Sequence, residues 1–141
     1  IKEEIEKTGL KVHLHSSGRK IDSRTDIYLV NTFGETKLFL KICKIVFLGG
    51  SLIQHGGQNP LESARLGCKV IHGPNIDNFL EVYSLLNKNN ISSKIRTISQ
   101  AKDIVKKNIN NKFSSKKIIK KLNSIGNEVL LNNQKEINKY I

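Results

Sequence analysis

Short β-branched apolar runs alternate along the chain with stretches whose apolar residues recur every three or four positions. Val12–His15 and Ile27–Val30 read as strands separated by a polar loop over 16–25. Gly34–Ile42, with Leu38, Phe39 and Ile42 in helical register, reads as a short helix. Ile45–Leu48 is a continuous apolar strand of the kind buried on both faces of a parallel sheet. Pro60–Leu66 reads as a helix closed by Gly67, which suits a left-handed C-terminal position. Lys69–His72 is the next strand, ended by Gly73-Pro74, and Asn78–Asn87 the next helix, with Phe79, Val82, Leu85 and Leu86 on one face.

A weaker strand is expected over Lys94–Ile98, followed by a helix capped by Ser99 and carrying Ala101, Ile104, Val105 and Ile109. The polar stretch Asn108–Asn111 reads as a linker, and a last helix is expected over Ser115–Leu131 with Gly126 inside it. Strand–helix alternation at this spacing predicts an α/β fold, a Rossmann-like doubly wound parallel sheet with helices on both faces. A chain of 141 residues fits one domain, 1–141, with 112–141 as a basic helical tail.

Composition adds limits. The longest apolar runs are four residues, too short to cross a bilayer. The charged start at Ile1–Lys7 is unlike a signal peptide and has no initiator Met, so the chain is expected to begin inside a longer polypeptide. Cys43 and Cys68 lack metal-ligand spacing and read as two buried, reduced thiols, as in a cytosolic protein. His13 and His15 alternate on a strand without a third ligand, so no metal site is expected.

The net charge is +12, and it is uneven: residues 94–141 hold 12 basic and 3 acidic groups, against 12 and 9 in residues 1–93. Such a tail suits nucleic acid or an anionic membrane surface. The lysines are not interleaved with stacking aromatics or arginines, which counts against nucleic acid.

The stretch from Gly49 to Glu62, GGSLIQHGGQNPLE, carries the densest chemistry. It follows a strand, where α/β folds bind ligands. Gly49, Gly50 and Gly57 would let backbone amides approach an anion, and the Ser51 hydroxyl would add a donor. Asn59 is a good N-cap, Pro60 suits the first helical position, and Glu62 stands third, as in a capping box. Glu62 has two readings of equal weight: a bond back to the Asn59 amide, or acceptance of two ribose hydroxyls. The stretch matches neither the P-loop nor the dinucleotide fingerprint. A cradle for a sugar nucleotide's phosphate fits it better. His55, between the glycine pairs, is a further candidate for an anion; His72 reads as a packing residue.

Four ordered segments resemble the 3-deoxy-D-manno-octulosonic acid (Kdo) transferases: Asn31-Thr32-Phe33-Gly34-Glu35, Val46–Leu52, Gly56–Glu62, and Gly73-Pro74 with Asn78-Phe79. The resemblance covers roughly residues 1–90 and implies the C-terminal, donor-binding half of a two-domain GT-B glycosyltransferase. It implies transfer of Kdo from CMP-Kdo to lipid A precursor at the cytoplasmic face of the bacterial inner membrane, in lipopolysaccharide biosynthesis, without a cofactor.

The CMP contacts it implies are Phe33, Gly34, Glu35, Asn59, Pro60, Leu61 and Glu62. The family's Pro-Arg pair and its catalytic carboxylate are expected N-terminal to residue 1, so this piece alone is expected to be inactive. Asn31 and Thr36 stand where the family has Asp and Leu. A basic module for nucleic acid or an anionic membrane, and a non-catalytic remnant, are the competing readings.

Overall fold

The computed structural model describes residues 1–110 and 114–140. The chain divides into two compact units, residues 1–36 and 37–141. All strand pairs in the described residues are parallel, as the alternation along the chain predicted. They fall into two sheets, one in each unit, where the alternation pointed to a single one.

In the first unit, helix α1 (Lys2–Glu6) precedes strands β1 (Val12–Leu14) and β2 (Ile27–Leu29). Their register sets Val12 beside Ile27, His13 beside Tyr28 and Leu14 beside Leu29. A single 3-10 turn, His15–Ser17, follows β1 and ends at Gly18, whose φ of 62° is the left-handed conformation open to glycine. The Asp26 carboxylate accepts from the Lys11 amide at 2.8 Å and closes the loop between the strands. Two paired strands alone bury little; His13 and His15 are only half-buried and Tyr28 is exposed.

Helix α2 (Thr36–Ile42), which lies in the second unit from Lys37 on, leads into strand β3 (Ile45–Phe47), helix α3 (Leu61–Arg65) and strand β4 (Lys69–His72). Helix α4 (Leu80–Lys88), strand β5 (Ser92–Lys94), helix α5 (Ile98–Asn110) and helix α6 (Ser115–Ile137) follow. The sheet order is β3-β4-β5, so β4 is central and every residue in it is buried. Side chains alternate across it. Val70 packs with Ala64, Ile76, Tyr83, Leu86, Ile91 and Ile118, from α3, α4, α6 and their loops. Ile71 points the other way, into an apolar groove it shares with Ile45, Phe47, Ala101 and Val105. Helices thus cover both faces of this sheet, as expected.

Several local readings change. β3 is an edge strand of this sheet with Phe47 46% exposed, so it is not buried on both faces. Cys43 is exposed, and only Cys68 is buried. β5 begins at Ser92 rather than Lys94, because Ser92 already pairs with Val70 of β4; its buried hydroxyl donates to Asn87 Oδ1 at 2.7 Å. Thr97, not Ser99, caps α5: its Oγ1 accepts from the Gln100 amide at 3.3 Å, while Gln100 Oε1 accepts from the Thr97 and Arg96 amides. That is a capping box, with Gln three residues after Thr.

Asn108 and Asn110 lie inside α5 rather than in a linker, and Asn108 Nδ2 donates to Ile104 O at 2.7 Å. Asn111, Lys112 and Phe113, together with Ile141, lie outside the described residues. α6 runs six residues past the expected end, to Ile137. On α4 the buried residues are Tyr83 and Leu86, while Leu85 is exposed.

Candidate functional site

The turn that follows β3 is held by one hydroxyl. Ser51 is fully buried; its Oγ donates to Leu48 O at 2.6 Å and accepts from the Gly73 amide at 2.9 Å. Ser51 O in turn accepts from the Asn75 amide at 2.9 Å. With its proton spent on Leu48, Ser51 is a strap between residues 48–52 and 73–75 and not the anion donor expected of it. Gly73 makes that strap possible: a Cβ there would stand 2.1 Å from Ser51 O and 2.4 Å from Ser51 C.

The other glycines of the stretch also serve close approach. Gly50 (φ 70°) lies under the His55 ring, with an added Cβ 3.1 Å from His55 Cδ2. Gly57 (φ 76°) is buried against Asn75 O and Ile76. Both turn through left-handed φ, which glycine adopts without a steric penalty. Gly49 is exposed and an added Cβ there would meet nothing within 4 Å, so it is the one expected cradle glycine not held in a close approach.

The end of the stretch matches its sequence. Asn59 Oδ1 accepts from the Leu61 amide at 3.0 Å, which makes Asn59 the N-cap, and buried Pro60, with φ −84° and ψ −9°, already has helical geometry. Among the described residues no bond returns from Glu62 to the Asn59 amide. The Glu62 carboxylate is exposed and lies 4.0 Å from Lys37 Nζ, both side chains being more than half in solvent. Its oxygens are therefore not consumed by capping. Leu61 is half-buried, and Gly67 ends α3 at φ 85°, as expected. The phenol of Tyr83 donates to Gln58 O at 2.9 Å, tying α4 to the approach to this helix.

His72 is fully buried at the end of β4, 4.3 Å from the Tyr83 ring, with Nδ1 2.7 Å from Gly73 O. Burial pushes its pKa below the usual 6.5, partly offset by its bonds to Gly73 and Asn87. It is the packing residue the sequence indicated. Burial also raises the Cys68 thiol to about 11, which leaves it protonated and unreactive.

In the first unit, Phe33 is fully exposed and Gly34 turns through φ 84° with nothing near its missing Cβ. Glu35 accepts from the Thr32 hydroxyl, and its two oxygens lie 3.0 and 3.2 Å from His15 Nε2. The Thr32 hydroxyl, and then His15, hold its carboxyl below the usual range. Asn31, where a carboxylate was expected from the resemblance, uses both ends of an amide: Oδ1 accepts from the Ser16 amide at 3.1 Å and Nδ2 donates to Ser16 Oγ at 2.8 Å. The expected contacts Phe33, Gly34 and Glu35 thus cluster on one loop of the first unit, and Asn59 to Glu62 on one helix start of the second.

Two features escaped the reading of the sequence. The Ser51–Gly73 strap joins residues 22 apart, and the His15–Glu35 pair joins residues 20 apart. No local spacing announces either one.

The chain is similar in sequence and fold to the C-terminal part of the Kdo transferases. A 3-deoxy-D-manno-octulosonic acid transferase of Haemophilus influenzae is 31% identical over 113 residues, 80% of this chain and 26% of the relative. One from Rickettsia typhi is 38% identical over 71 residues, 50% of this chain and 15% of that protein. A probable mitochondrial one from Arabidopsis thaliana is 34% identical over 92 residues, 64% and 21% of the two chains. The chain therefore spans about a quarter or less of the length of these relatives.

The crystal structure of the C-terminal CMP-Kdo binding domain of WaaA from Acinetobacter baumannii superposes with a TM-score of 0.78 at 25% identity. That match covers 87% of this chain and 64% of the other. No protein-family model matches the chain.

Proposed function

We propose that this chain is the donor-binding part of a Kdo transferase and that its ligand is the cytidine monophosphate portion of CMP-Kdo. The observation that carries the reading is the fold match to a CMP-Kdo binding domain, made along a chain whose sequence also aligns with Kdo transferases. The proposed contacts are those the resemblance implies: Phe33, Gly34, Glu35, Asn59, Pro60, Leu61 and Glu62.

Each has a physical task available. Phe33 offers an exposed ring face on which a base can stack. Glu62 offers exposed carboxylate oxygens, and half-buried Glu35 the lone pairs left by Thr32 and His15, to hydroxyl or amino donors. Pro60 and the Asn59 cap fix the backbone on which Glu62 stands. Of the cradle residues only Gly49 is assigned to the phosphate; Gly50, Ser51 and Gly57 shape the turn. No metal or redox group enters this reading, because loss of CMP needs stabilisation of a phosphate, which amides and cations supply.

The acceptor, a lipid A precursor, and the catalytic carboxylate belong in this proposal to a GT-B partner half. Working at the cytoplasmic face of an inner membrane would suit α6, whose Lys116, Lys117, Lys120 and Lys121 are exposed toward solvent. No helix of the described residues is long and apolar enough to cross a membrane.

Calorimetric titration of CMP into the chain tests the donor reading, with Glu62→Gln as the control. Binding that weakens in Glu62→Gln is expected. No binding by the unaltered chain, or equal binding by both, would overturn the assignment of Glu62.

A further inference from the structure

Glu35 stands half-buried at the end of an exposed loop, where a carboxylate would ordinarily sample several rotamers, yet here it has two protein partners. Thr32 Oγ1 donates to its Oε2, and His15 Nε2 reaches both oxygens, at 3.0 and 3.2 Å. Behind His15 stands Tyr28, its hydroxyl 2.6 Å from His15 Nδ1. The strand register supplies this order: His13 and Tyr28 are direct neighbours across β1 and β2, and their rings stack at 5.3 Å with planes 8° apart. The 3-10 turn that starts at His15 then brings its ring edge-on to Tyr28, 5.7 Å between centroids.

One hydrogen bond in this row has a fixed direction. An ionised carboxylate only accepts, so Nε2 must carry a proton. In the neutral ring Nδ1 is then an acceptor, and the Tyr28 hydroxyl donates to it. In its neutral Nε2–H form the ring accepts from the Tyr28 hydroxyl at Nδ1 and donates from Nε2 to the Glu35 carboxylate, which also accepts from the Thr32 hydroxyl.

We propose that His15 is a positioning residue: with Tyr28 behind it, it locks Glu35 in the single orientation in which the carboxylate accepts a hydrogen bond from a hydroxyl or amino group of the nucleotide. The proposal rests on the donor-binding reading above and adds a residue outside the segments that carry the resemblance. His15 and Thr32 do not exhaust the roughly four lone-pair sites of a carboxylate, which leaves acceptor capacity for a ligand. A ligand donor then meets a carboxylate whose ordering cost has already been met within the protein, which is how preorganisation raises affinity.

The test titrates CMP into the 141-residue chain and into His15→Leu, His15→Gln and Tyr28→Phe, with circular dichroism on each. His15→Leu should weaken CMP about threefold to tenfold, the span between an exposed ion pair and a charge-assisted hydrogen bond. His15→Gln should recover most of that loss, because its amide can donate from the place of Nε2. A residue that merely filled space would be replaced better by Leu than by Gln. Nitrogen-15 spectra of the unaltered chain should show the Nε2–H tautomer with Nδ1 accepting.

Unimpaired CMP binding by a folded His15→Leu, or an Nδ1–H tautomer, would overturn the proposal alone. Failure of the unaltered chain to bind CMP would overturn the donor reading and this proposal with it. If His15→Leu does not fold, equal CMP affinity in His15→Gln, Tyr28→Phe and the unaltered chain, joined to the wrong tautomer, would refute it.

Discussion

Replacing Gly73 by Ala should disable the turn after β3 more severely than removing the hydroxyl that straps it. The new Cβ would lie 2.1 Å from Ser51 O, 2.4 Å from Ser51 C and 2.7 Å from Leu52 N, all of them backbone atoms. Ordinary contact begins at 3.4 Å, so the Ser51 backbone must retreat by about 1.3 Å (3.4 less 2.1) or the end of β4 must. Neither can move freely. Ser51 Oγ is bonded to both Leu48 O and the Gly73 amide, and Ser51 O to the Asn75 amide.

Overpacking of this kind costs about 1–3 kcal/mol. Each buried polar group left unpaired by the retreat adds about 1–3 kcal/mol. With partial relaxation, Gly73→Ala should lose about 3–5 kcal/mol in urea unfolding. Ser51→Ala, which makes space and removes only the hydroxyl, should lose about 2 kcal/mol.

The double variant should fall short of the sum by more than about 1 kcal/mol, since a displaced loop has already lost the bonds that the hydroxyl makes. Strict additivity, or a Gly73→Ala loss under about 1 kcal/mol, would refute the close-approach argument.

Two further outcomes follow from the same region. Tyr83→Phe keeps the ring in the core but leaves Gln58 O without its donor at 2.9 Å, and should cost about 1 kcal/mol in urea unfolding with no change in circular dichroism. His72 titrates below its unfolded value of 6.5, so well above pH 6.5 both states are neutral and it has no effect on stability. As pH falls below 6.5 the unfolded chain binds the proton first, and stability should drop until the folded-state pKa is reached. A series of urea midpoints from pH 7.5 to 5 checks this, and His72→Gln should flatten part of the fall.

What could be read from the sequence was chemistry carried by neighbours. Asn59-Pro60-Leu61 announces a helix start because cap and first position are adjacent, and Gly67 marks the end for the same reason. The cap of α5 was equally legible: Gln100 stands three residues after Thr97, a signal that outranks the nearer hydroxyl of Ser99. Contacts across the fold were not legible. Ser51 looked like a ligand donor because nothing in the sequence shows that Leu48 O takes its proton and that the Gly73 amide, 22 residues away, occupies its oxygen.

Nor does any local pattern mark the bond from the Tyr83 hydroxyl to Gln58 O, 25 residues away. The division of the strands into two sheets was hidden too, since alternation shows that strands exist and not which pairs form. Of the candidate site, Phe33, Gly34, Asn59 and Glu62 keep the exposure a ligand contact needs, whereas three of the four cradle residues turn out to shape the loop.

The most direct test of the account is an amide-resolved NMR titration of CMP into the 141-residue chain. The account predicts saturable shifts concentrated at Gly34, Glu35, Asn59, Leu61 and Glu62, with Gly50, Ser51 and Gly57 moving less than Gly49. Shifts confined to the lysine-rich helix α6, or none at Gly34–Glu35 and Asn59–Glu62 at saturating CMP, would contradict it.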